Sequence, residues 1–208
     1  MLSLVRQAQM RGVEPVPPDW QAAFGNQAPV EVDLGCGRGV YALERATRFP
    51  GVNVVALEVR KKWLVQLRAR ARRQGVLNLR AVRCDVSEDL PMLFAPATVS
   101  GFTIHHPDPW WKKRHRKRRL VRPSLVEVLV HLLRPGGWIF AQTDVPDLAD
   151  EMQSVLAACD RLTAVDPVAH QRTCLGGIRS HRESKCRQAG IPVRSVACVL
   201  DRLHPDTP

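Results

Sequence analysis

The sequence lacks the features of a membrane protein and of a metal or disulfide scaffold. No apolar run reaches the roughly 18 residues that a membrane-spanning helix needs. The first fifteen residues have no long apolar segment and no small-residue cleavage site, which argues against a secretory signal. The cysteines are never two or three residues apart, which argues against a zinc ribbon or a redox pair. We therefore expect a cytoplasmic protein with no bound metal and no membrane association.

Negative charge is also scarce, because 31 lysines and arginines face only 20 acidic residues and give a formal net charge of +11. Such an excess favours a polyanionic partner, either a nucleic acid or an acidic membrane surface. The chain is long and apolar enough to fold, since 208 residues with 45% hydrophobic content suffice for one domain with a real core.

The most informative stretch runs from His105 to Pro123 and reads HHPDPWWKKRHRKRRLVRP. It places one carboxylate, Asp108, between two prolines and next to Trp110 and Trp111. The cations that follow are Lys112, Lys113, Arg114, Arg116, Lys117, Arg118, Arg119 and Arg122. A stiff turn with an acid, aromatic rings and a phosphate-binding run suits chemistry on a base of a nucleic acid. The alternative interpretation is a solvated charged loop or a targeting peptide.

The chain divides into a short arm and one domain. Residues 1–28 are rich in Pro, Gln and Gly, and we predict a mobile N-terminal arm there. From 29 to 208 strand and helix patterns alternate. Strands are expected at 30–34, 53–59, 79–86, 99–105, 138–144, 161–166 and 192–200, and helices up to 49 and at 60–74, 88–94, 124–133 and 146–159. Repeated βα units predict an α/β, Rossmann-like domain: a doubly wound, mostly parallel, seven-stranded sheet with helices on both faces.

A glycine-rich turn, Asp33-Leu-Gly-Cys-Gly-Arg-Gly39, joins the first strand to a helix. Gly35, Gly37 and Gly39 permit a tight turn and let a ligand approach the backbone closely. A dinucleotide site would favour G-x-G-x-x-G, whereas position 40 here is Val. The alternative interpretation of the glycines is a plain tight turn.

Acids at the predicted strand ends indicate the kind of ligand. Glu58 ends the second strand, where an acid accepts hydrogen bonds from both hydroxyls of a ribose. Asp85 ends the third strand and can accept from an adenine amino group, and Asp33 precedes the glycines. This set suits a ligand with a ribose, an amine and a positive sulfonium, such as S-adenosylmethionine, better than a pyrophosphate. Each acid alternatively caps the helix that follows its strand.

A second set of candidates belongs to the later strands. Asp108 ends the fourth strand, which flanks the ligand crevice of a doubly wound sheet together with the first, so Asp108 should face the same pocket as the glycine turn. Trp110 and Trp111 either stack on a base or join the core. Asp144 ends the fifth strand, where its alternative role is a helix N-cap. Ser180-His-Arg-Glu183 lies in a predicted loop, with a capping box as the alternative.

These residues resemble those of the bacterial tRNA (guanine-N(7)-)-methyltransferases from about Val30 to Val193. The most specific part is the string PDPW-x-KKRH-x-KRR-x-V-x-P between Pro107 and Pro123. The resemblance implies a class I methyltransferase fold, with S-adenosylmethionine as cofactor and tRNA as partner. Cofactor contacts are implied for the glycine turn, Asp33, Glu58, Asp85 and Asp108, and substrate contacts for Lys112, Asp144, Ser180 and Glu183.

The sequence departs from the family pattern at a few positions. Asp33 stands where the family usually has Glu, and Ser180 replaces Thr but keeps the hydroxyl. His105 and His106 stand where aromatic or aliphatic residues usually precede the Pro-Asp-Pro-Trp string. The two histidines bear on the polarity of the pocket and on its pH profile.

The expected reaction is transfer of a methyl group from S-adenosylmethionine to ring nitrogen 7 of a tRNA guanosine, which the resemblance implies lies in the variable loop. This nitrogen has a free lone pair and no proton, so positioning and electrostatics should matter more than a base. Asp108 is the expected catalytic group. Two alternatives stay open: an exocyclic-amine methyltransferase on RNA or DNA, and a non-catalytic RNA-binding protein on the same scaffold. The pattern fits a monomer and a homodimer equally.

Overall fold

The computed structural model describes residues 16–202 and shows within them one seven-stranded sheet in the order β3-β2-β1-β4-β5-β7-β6. The last strand, β7, is antiparallel to β5 and β6, and the remaining neighbours are parallel. The strands are β1 Val30–Leu34, β2 Asn53–Glu58, β3 Leu79–Arg83, β4 Val99–His105, β5 Leu133–Thr143, β6 Leu162–Val165 and β7 Arg194–Leu200. The predicted doubly wound, mostly parallel sheet is confirmed.

Helices connect these strands, mostly in the βα order that the sequence predicts. The α-helices are α1 Trp20–Phe24, α2 Val40–Arg48, α3 Lys61–Arg73, α4 Val86–Asp89, α5 Pro123–Leu132, α6 Pro146–Ala157, α7 Pro167–Thr173 and α8 His181–Gln188. Short 3-10 helices cover Leu90–Met92 and Lys113–Arg118.

Both faces of the sheet are covered, as a parallel sheet requires. Successive side chains of a strand point to opposite faces. In β2, Ala56 is buried in one cluster with Leu67 of α3, and the next residue, Leu57, is buried in another cluster with Leu129 of α5. The continuous apolar run of β2 in the sequence therefore reflects burial on two sides.

The position of the site follows from where the strand order reverses. β1 has β2 on one side and β4 on the other, so the chain leaves β1 and β4 in different directions. The register aligns Asp33 with Ala56 of β2 and with Thr103 of β4. A crevice opens outside the carboxyl ends of strands at such a reversal.

Some predicted strand limits were wrong, and the corrections bear on the site. β3 ends at Arg83, so Asp85 follows the strand and caps the next helix. β4 ends at His105 as predicted, so Asp108 lies in the loop beyond it. Residues 134–137 separate the predicted helix at 124–133 from the predicted strand at 138–144, but they belong to β5, where the register with β4 jumps from Val99↔Leu133 to Gly101↔Trp138. A bulge of this kind accommodates the two glycines of that segment.

The predicted loop before the last strand contains two helices. Asp166 caps α7 by accepting a hydrogen bond from the amide of Val168 at 2.9 Å. Ser180 caps α8, whose buried residues are only Glu183 and Cys186. Such a polar helix shows no apolar stripe, which is why the hydrophobic pattern did not predict it.

The predicted mobile arm falls only partly on described residues. Residues 1–15 lie outside them. In the remainder, Trp20 of α1 stacks on Phe94 with ring centroids 5.4 Å apart, and its indole nitrogen donates to the carbonyl of Leu93 at 2.6 Å. This part of the arm packs against the domain. No helix between residues 16 and 202 is long and apolar enough to cross a bilayer.

Candidate functional site

A cavity of about 1230 Å³ opens at the strand reversal. It is lined by the segments that follow β1, β2, β3, β4 and β5 and by the start of α8. Of the predicted site residues, those that line it are Asp33, Gly35, Gly37, Glu58, Asp85, Asp108, Asp144 and Ser180. Those outside its lining are Gly39, Lys112 and Glu183. Among residues 16–202, no group of three or more His, Cys, Asp or Glu side chains is arranged to hold a metal ion.

The glycine turn has the backbone geometry that its sequence predicts. Gly37 has a φ of 52° and donates its amide hydrogen to Glu58 Oε2 at 3.0 Å. Gly39 has a φ of 63°, and a Cβ atom at this position would lie 2.5 Å from Cδ2 of Leu67. Gly39 thus lets α2 start close against α3, which explains why it shapes the turn without lining the cavity.

Glu58 is oriented by two backbone donors. Its Oε2 accepts from Gly37, and its Oε1 accepts from the amide of Arg60 at 2.8 Å. Each carboxylate oxygen can accept a further hydrogen bond. Because Glu58 lines the cavity, its carboxylate is positioned to accept from the hydroxyls of a bound ligand.

Asp33 is the most deeply buried acid of the cavity, with 2% of its surface exposed. Thr103 donates to its Oδ1 at 3.0 Å across the β1–β4 pair. The pKa of Asp33 is raised to about 7, mainly by burial; the bond from Thr103 opposes the shift, and the nearby charge of Glu58 contributes to it. A carboxyl group that is costly to ionise in isolation favours a cationic ligand beside it.

Asp85 has the helix-capping role that its position suggested, and its contact with a ligand stays a prediction. Its side chain accepts from the amide of Ser87 at 3.0 Å and caps α4, and its own amide donates to Asp89 at 2.9 Å. The residue is also exposed and lines the cavity. The cap fixes the carboxylate, and its second oxygen stays available for a ligand.

The Pro-Asp-Pro loop is held in a strained shape. Two non-glycine residues at its ends have positive φ, His106 at 51° and Trp110 at 46°. Such angles cost energy and persist only where the surroundings impose them. The amide of His106 donates to the carbonyl of Gln142 in β5 at 2.8 Å, which ties the start of the loop to the sheet. Asp108 lies between these points, exposed and lining the cavity.

The two tryptophans of the loop are not part of the core. Trp110 is half-buried and lies under the guanidinium of Arg118, 5.2 Å from the ring centroid. Trp111 is 70% exposed. Both line the cavity, so each has a ring surface near the position that a base would occupy.

Asp144 is clamped from two sides. His106 Nδ1 lies 2.8 Å from its Oδ1, and Arg182 donates to its Oδ2 at 2.5 Å. The bond from Arg182 holds the pKa of Asp144 well below its usual range, and the bond to His106 adds to this effect. The alternative role as a helix cap does not apply, since Val145 occupies the N-cap of α6. Asp144 is therefore a fixed negative charge at the rim.

Ser180 and Glu183 form the capping box of α8. Glu183 is buried and accepts from Gln142 at 3.0 Å and from Gln171 at 3.1 Å. These bonds use its carboxylate inside the protein, so the structure places it behind Ser180 rather than on the cavity wall. Glu183 is thereby bonded to Ser180 and Gln142, and its predicted contact with the substrate stays a prediction.

The two histidines before the loop differ in their surroundings. His105 lies between Tyr41 and Phe140, with ring centroids at 4.3 and 6.0 Å. Burial lowers the pKa of His105 to about 3, so the ring is neutral at physiological pH. Burial also lowers the pKa of His106, although Asp144 opposes the shift. His105 packs beneath the loop, and His106 holds Asp144.

The cationic run is anchored at its end by a buried ion pair. Arg119 is 3% exposed, pairs with Glu151 of α6, and donates through Nε to the carbonyl of Pro109 at 2.9 Å. The prediction that Arg119 contacts phosphate was wrong, because the sequence does not show a partner 32 positions away. Lys117, Arg118 and Arg122 line the cavity, whereas Lys112 is exposed at its outside.

Several cavity residues were not predicted from the sequence. Arg38 and Arg60 line the rim beside the glycine turn, and Arg182 lines it beside α8. In a sequence with many cations, nothing local to a single arginine indicates that it lines a site. The pair of His106 with Asp144 joins two strand ends, and only the sheet order brings them together.

Comparisons with known proteins agree with this architecture. Residues 27–195 match a family model described as "Putative methyltransferase". The chain is 41% identical over 140 residues to the tRNA (guanine-N(7)-)-methyltransferase of Myxococcus xanthus (strain DK1622), covering 67% of this chain and 68% of that protein. It is 37% identical over 180 residues to the protein of that name from Mycobacterium avium (strain 104), covering 86% and 70%.

Solved structures show the same fold at lower identity. The 16S rRNA methyltransferase KamB superimposes with a TM-score of 0.62 and 18% identity over 89% of this chain and 94% of that one. An rRNA methylase from Streptococcus thermophilus superimposes with a TM-score of 0.56 and 16% identity over 84% and 88%. The seven-stranded sheet with its strand order is that of the class I methyltransferase fold. The chain belongs to the tRNA (guanine-N(7)-)-methyltransferase family.

The contribution of the Arg119–Glu151 pair to anchoring the loop can be tested by measuring the free energy of unfolding. Arg119→Gln removes a buried charge from its pair with Glu151 and should lower the free energy of unfolding by about 1–3 kcal/mol, less than a fully buried pair because Glu151 is 36% exposed. The matched control is Arg116→Gln at an exposed position of the same run, which should change the free energy of unfolding by less than about 0.5 kcal/mol. Urea unfolding measures both. Equal, small effects for the two variants would show that the pair does not anchor the loop.

Proposed function

We propose that this protein transfers a methyl group from S-adenosylmethionine to ring nitrogen 7 of a guanosine in tRNA. The observation that carries the proposal is that one cavity joins Asp33, Glu58 and Asp85 on one side to Asp108 and a cationic rim on the other. Membership of the family supplies the reaction and the substrate class.

The acids of the cavity fit the cofactor part by part. Glu58, with its orientation fixed by two amides, would accept from the ribose hydroxyls. Asp85 would accept from the adenine amino group with the oxygen not used in the cap. Asp33, which is buried and reluctant to ionise alone, would face the cationic methionine part. The bound cofactor supplies an electrophilic methyl group on a positively charged sulfur.

The chemistry on the base asks for alignment and charge stabilisation. Ring nitrogen 7 is an acceptor with no proton to lose. The product base is cationic, so positive charge develops on the base in the transition state. A fixed carboxylate nearby stabilises this transition state more than the neutral substrate and so lowers the barrier. Asp108 has this role in our proposal, because it lines the cavity on a loop whose prolines and strained ends restrict its movement.

The substrate side of the cavity offers a clamp for the nucleotide. Asp144, held by His106 and Arg182, and the hydroxyl of Ser180 would accept or donate hydrogen bonds at the rim. Trp111 would stack on an adjacent base, since its ring is exposed. Lys112 would contact a phosphate just outside the cavity. By resemblance to the family, we place the reacting guanosine in the variable loop.

The proposal is tested by incubating the protein with unmodified tRNA and methyl-labelled S-adenosylmethionine, and by identifying the labelled nucleoside and its position. We expect 7-methylguanosine in the variable loop. Label on an exocyclic amine would support the alternative methyltransferase activity. If calorimetry detects tRNA binding but no cofactor binding, the protein is an RNA-binding scaffold and the proposal is wrong.

Asp108→Asn separates chemistry from binding. It keeps the shape of the side chain and removes its charge, so single-turnover methyl transfer at saturating tRNA and cofactor should slow by about 10²–10³-fold. The KM for tRNA should change little, since the interaction is strongest in the transition state. The control is Asp160→Asn, an exposed carboxylate outside the cavity. The rates are measured over a series of pH values. If the variant stays within about threefold of the wild-type rate at each of them, Asp108 has no catalytic role.

The raised pKa of Asp33 predicts pH-dependent cofactor binding. A cationic ligand binds the ionised carboxylate, so affinity should rise with pH through about 7. The ionised fraction grows from about a tenth at pH 6 to about nine tenths at pH 8, which predicts roughly tenfold tighter binding of S-adenosylmethionine at the higher pH. Calorimetry at both pH values measures it.

Two controls accompany this titration. Asp33→Asn cannot ionise and should bind weakly with no such pH dependence. Adenosine has no positive charge, so its affinity for the wild-type protein should not rise in the same way. An equal rise for adenosine, or a rise that persists in Asp33→Asn, would assign the pH dependence to another group.

A further inference from the structure

One part of the fold carries a concentration of positive charge that the cavity does not explain. Residues 59–84, which run from the end of β2 through α3 to the end of β3, contain no acidic residue. Their cations are Arg60, Lys61, Lys62, Arg68, Arg70, Arg72, Arg73, Arg80 and Arg83. Most of them belong to α3 or to its N-cap, so the charge is concentrated on one helix.

The exposed side of α3 carries the charge. The buried residues of this helix are Leu64, Leu67 and Ala71, which share one face and pack on the sheet. The exposed cations lie on the flank of the helix and on the side opposite that face: Lys61, Lys62, Arg68, Arg72 and Arg73. At 1.5 Å per residue the helix is roughly 20 Å long, so its cations can follow several phosphates of a nucleic acid.

These cations have no acidic partners within the described residues. None of them takes part in an ion pair there, whereas Arg48 on α2 pairs with Glu44 at 3.3 Å. Arg68 donates to the carbonyl of Ala81, and Arg83 donates to the carbonyl of Val59 at 3.0 Å. Bonds to neutral carbonyls orient the guanidinium groups and leave their charge uncompensated.

This arrangement has a cost for the free protein. Like charges at i and i+4, such as Arg68 and Arg72, repel each other on a helix. Glutamine has a helix propensity close to that of arginine and would avoid the repulsion. Arg70, Arg72 and Arg73 in the last turn complement the helix dipole, whereas Lys61 and Lys62 in the first turn oppose it. The stability of α3 therefore does not account for the whole run, and a bound polyanion would.

The cationic face is continuous with the mouth of the cavity. Arg60, the N-cap of α3, and Arg38 line the cavity. Arg38 and Lys62 lie against the ring of Trp63, at 5.0 and 5.6 Å from its centroid. The run 112–118 borders the same mouth from the loop after β4, which is anchored on α6. Cations therefore flank the cavity from the two opposite layers of the sheet.

We propose that the exposed face of α3, together with Arg60 and Arg83, is a second RNA-binding surface that holds the sugar-phosphate backbone of the tRNA body. The inference rests on the proposed function, because tRNA is the polyanion that must reach this cavity. An acidic membrane fits less well, since a helix that lies on lipid buries its apolar face there, and the apolar face of α3 is covered by the sheet.

The test variant is Lys61→Gln/Lys62→Gln/Arg72→Gln. These side chains are exposed and make no hydrogen bond within the described residues, so the fold should be kept. The matched control is Arg134→Gln/Arg172→Gln/Arg202→Gln, which removes the same charge from exposed positions outside the cavity lining. Equilibrium binding of tRNA is measured over a salt series for wild type and both variants, and circular dichroism checks their folding.

We expect the α3 variant to bind tRNA about 4- to 5-fold more weakly near 0.15 M salt for each phosphate that its side chains no longer neutralise. The slope of log K against log salt should fall by about 0.7–0.9 for each such phosphate. The weakening should be larger for full-length tRNA than for a short stem-loop that carries the guanosine, because α3 binds the body of the molecule. The control variant should retain the wild-type slope.

Three outcomes would overturn the inference. The α3 variant binds as the wild type does; the control variant loses as much affinity, so that only net charge matters; or the α3 variant loses binding to phosphatidylserine vesicles and not to tRNA. The proposed function can fail independently, since methyl transfer to another atom would leave the binding result unaffected. Conversely, intact methylation with an unchanged salt slope would remove only the second surface.

Discussion

The pairing of β1 with β4 is the constraint on which the rest of the site depends. Their parallel register puts Asp33 beside Thr103, and the hydrogen bond between them supports a carboxyl group that burial would otherwise leave unpaired. The glycine turn continues from β1, and the Pro-Asp-Pro loop continues from β4. Since the chain departs in opposite directions, the two segments face each other across the cavity. A change in this register would separate the cofactor acids from Asp108.

The loop after β4 needs more than its sequence to keep its shape. His106 and Trp110 have positive φ, and three contacts outside the loop offset that cost: the amide of His106 on β5, its ring on Asp144, and Arg119 on Glu151. All three come from β5, from the residue that follows it, or from α6. The position of Asp108 thus depends on contacts made by other residues of its loop with β5, Asp144 and α6, which hold the loop in one shape before any ligand binds.

The sequence predicted what depends on local pattern. The β1, β2 and β4 limits, the glycine turn and the acids at strand ends follow from apolar runs and spacing. The pairing of Arg119 with Glu151 could not be predicted in this way, because the sequence around a cation in a basic run is the same whether its side chain is buried or solvated. The position of Glu183 behind Ser180 could not be predicted either, since a capping box and a ligand contact are formed by the same polar residue types. Such distinctions depend on which elements pack together, and this information lies between distant parts of the chain.

Acidic groups inside the cavity and cations at its mouth suit the binding of two different ligands, the cofactor and the RNA. Asp33 and Glu58 lie inside the cavity, Asp144 lies at its rim between His106 and Arg182, and further cations border the mouth. A cationic cofactor is attracted into the acidic interior, whereas the phosphates of a polyanion are repelled from it and attracted to the rim. In the proposed reaction the RNA backbone would stay outside while a neutral base enters alone. The base becomes cationic on methylation and Asp108 would stabilise it, so the same distribution of charge that sorts the ligands would also favour the reaction.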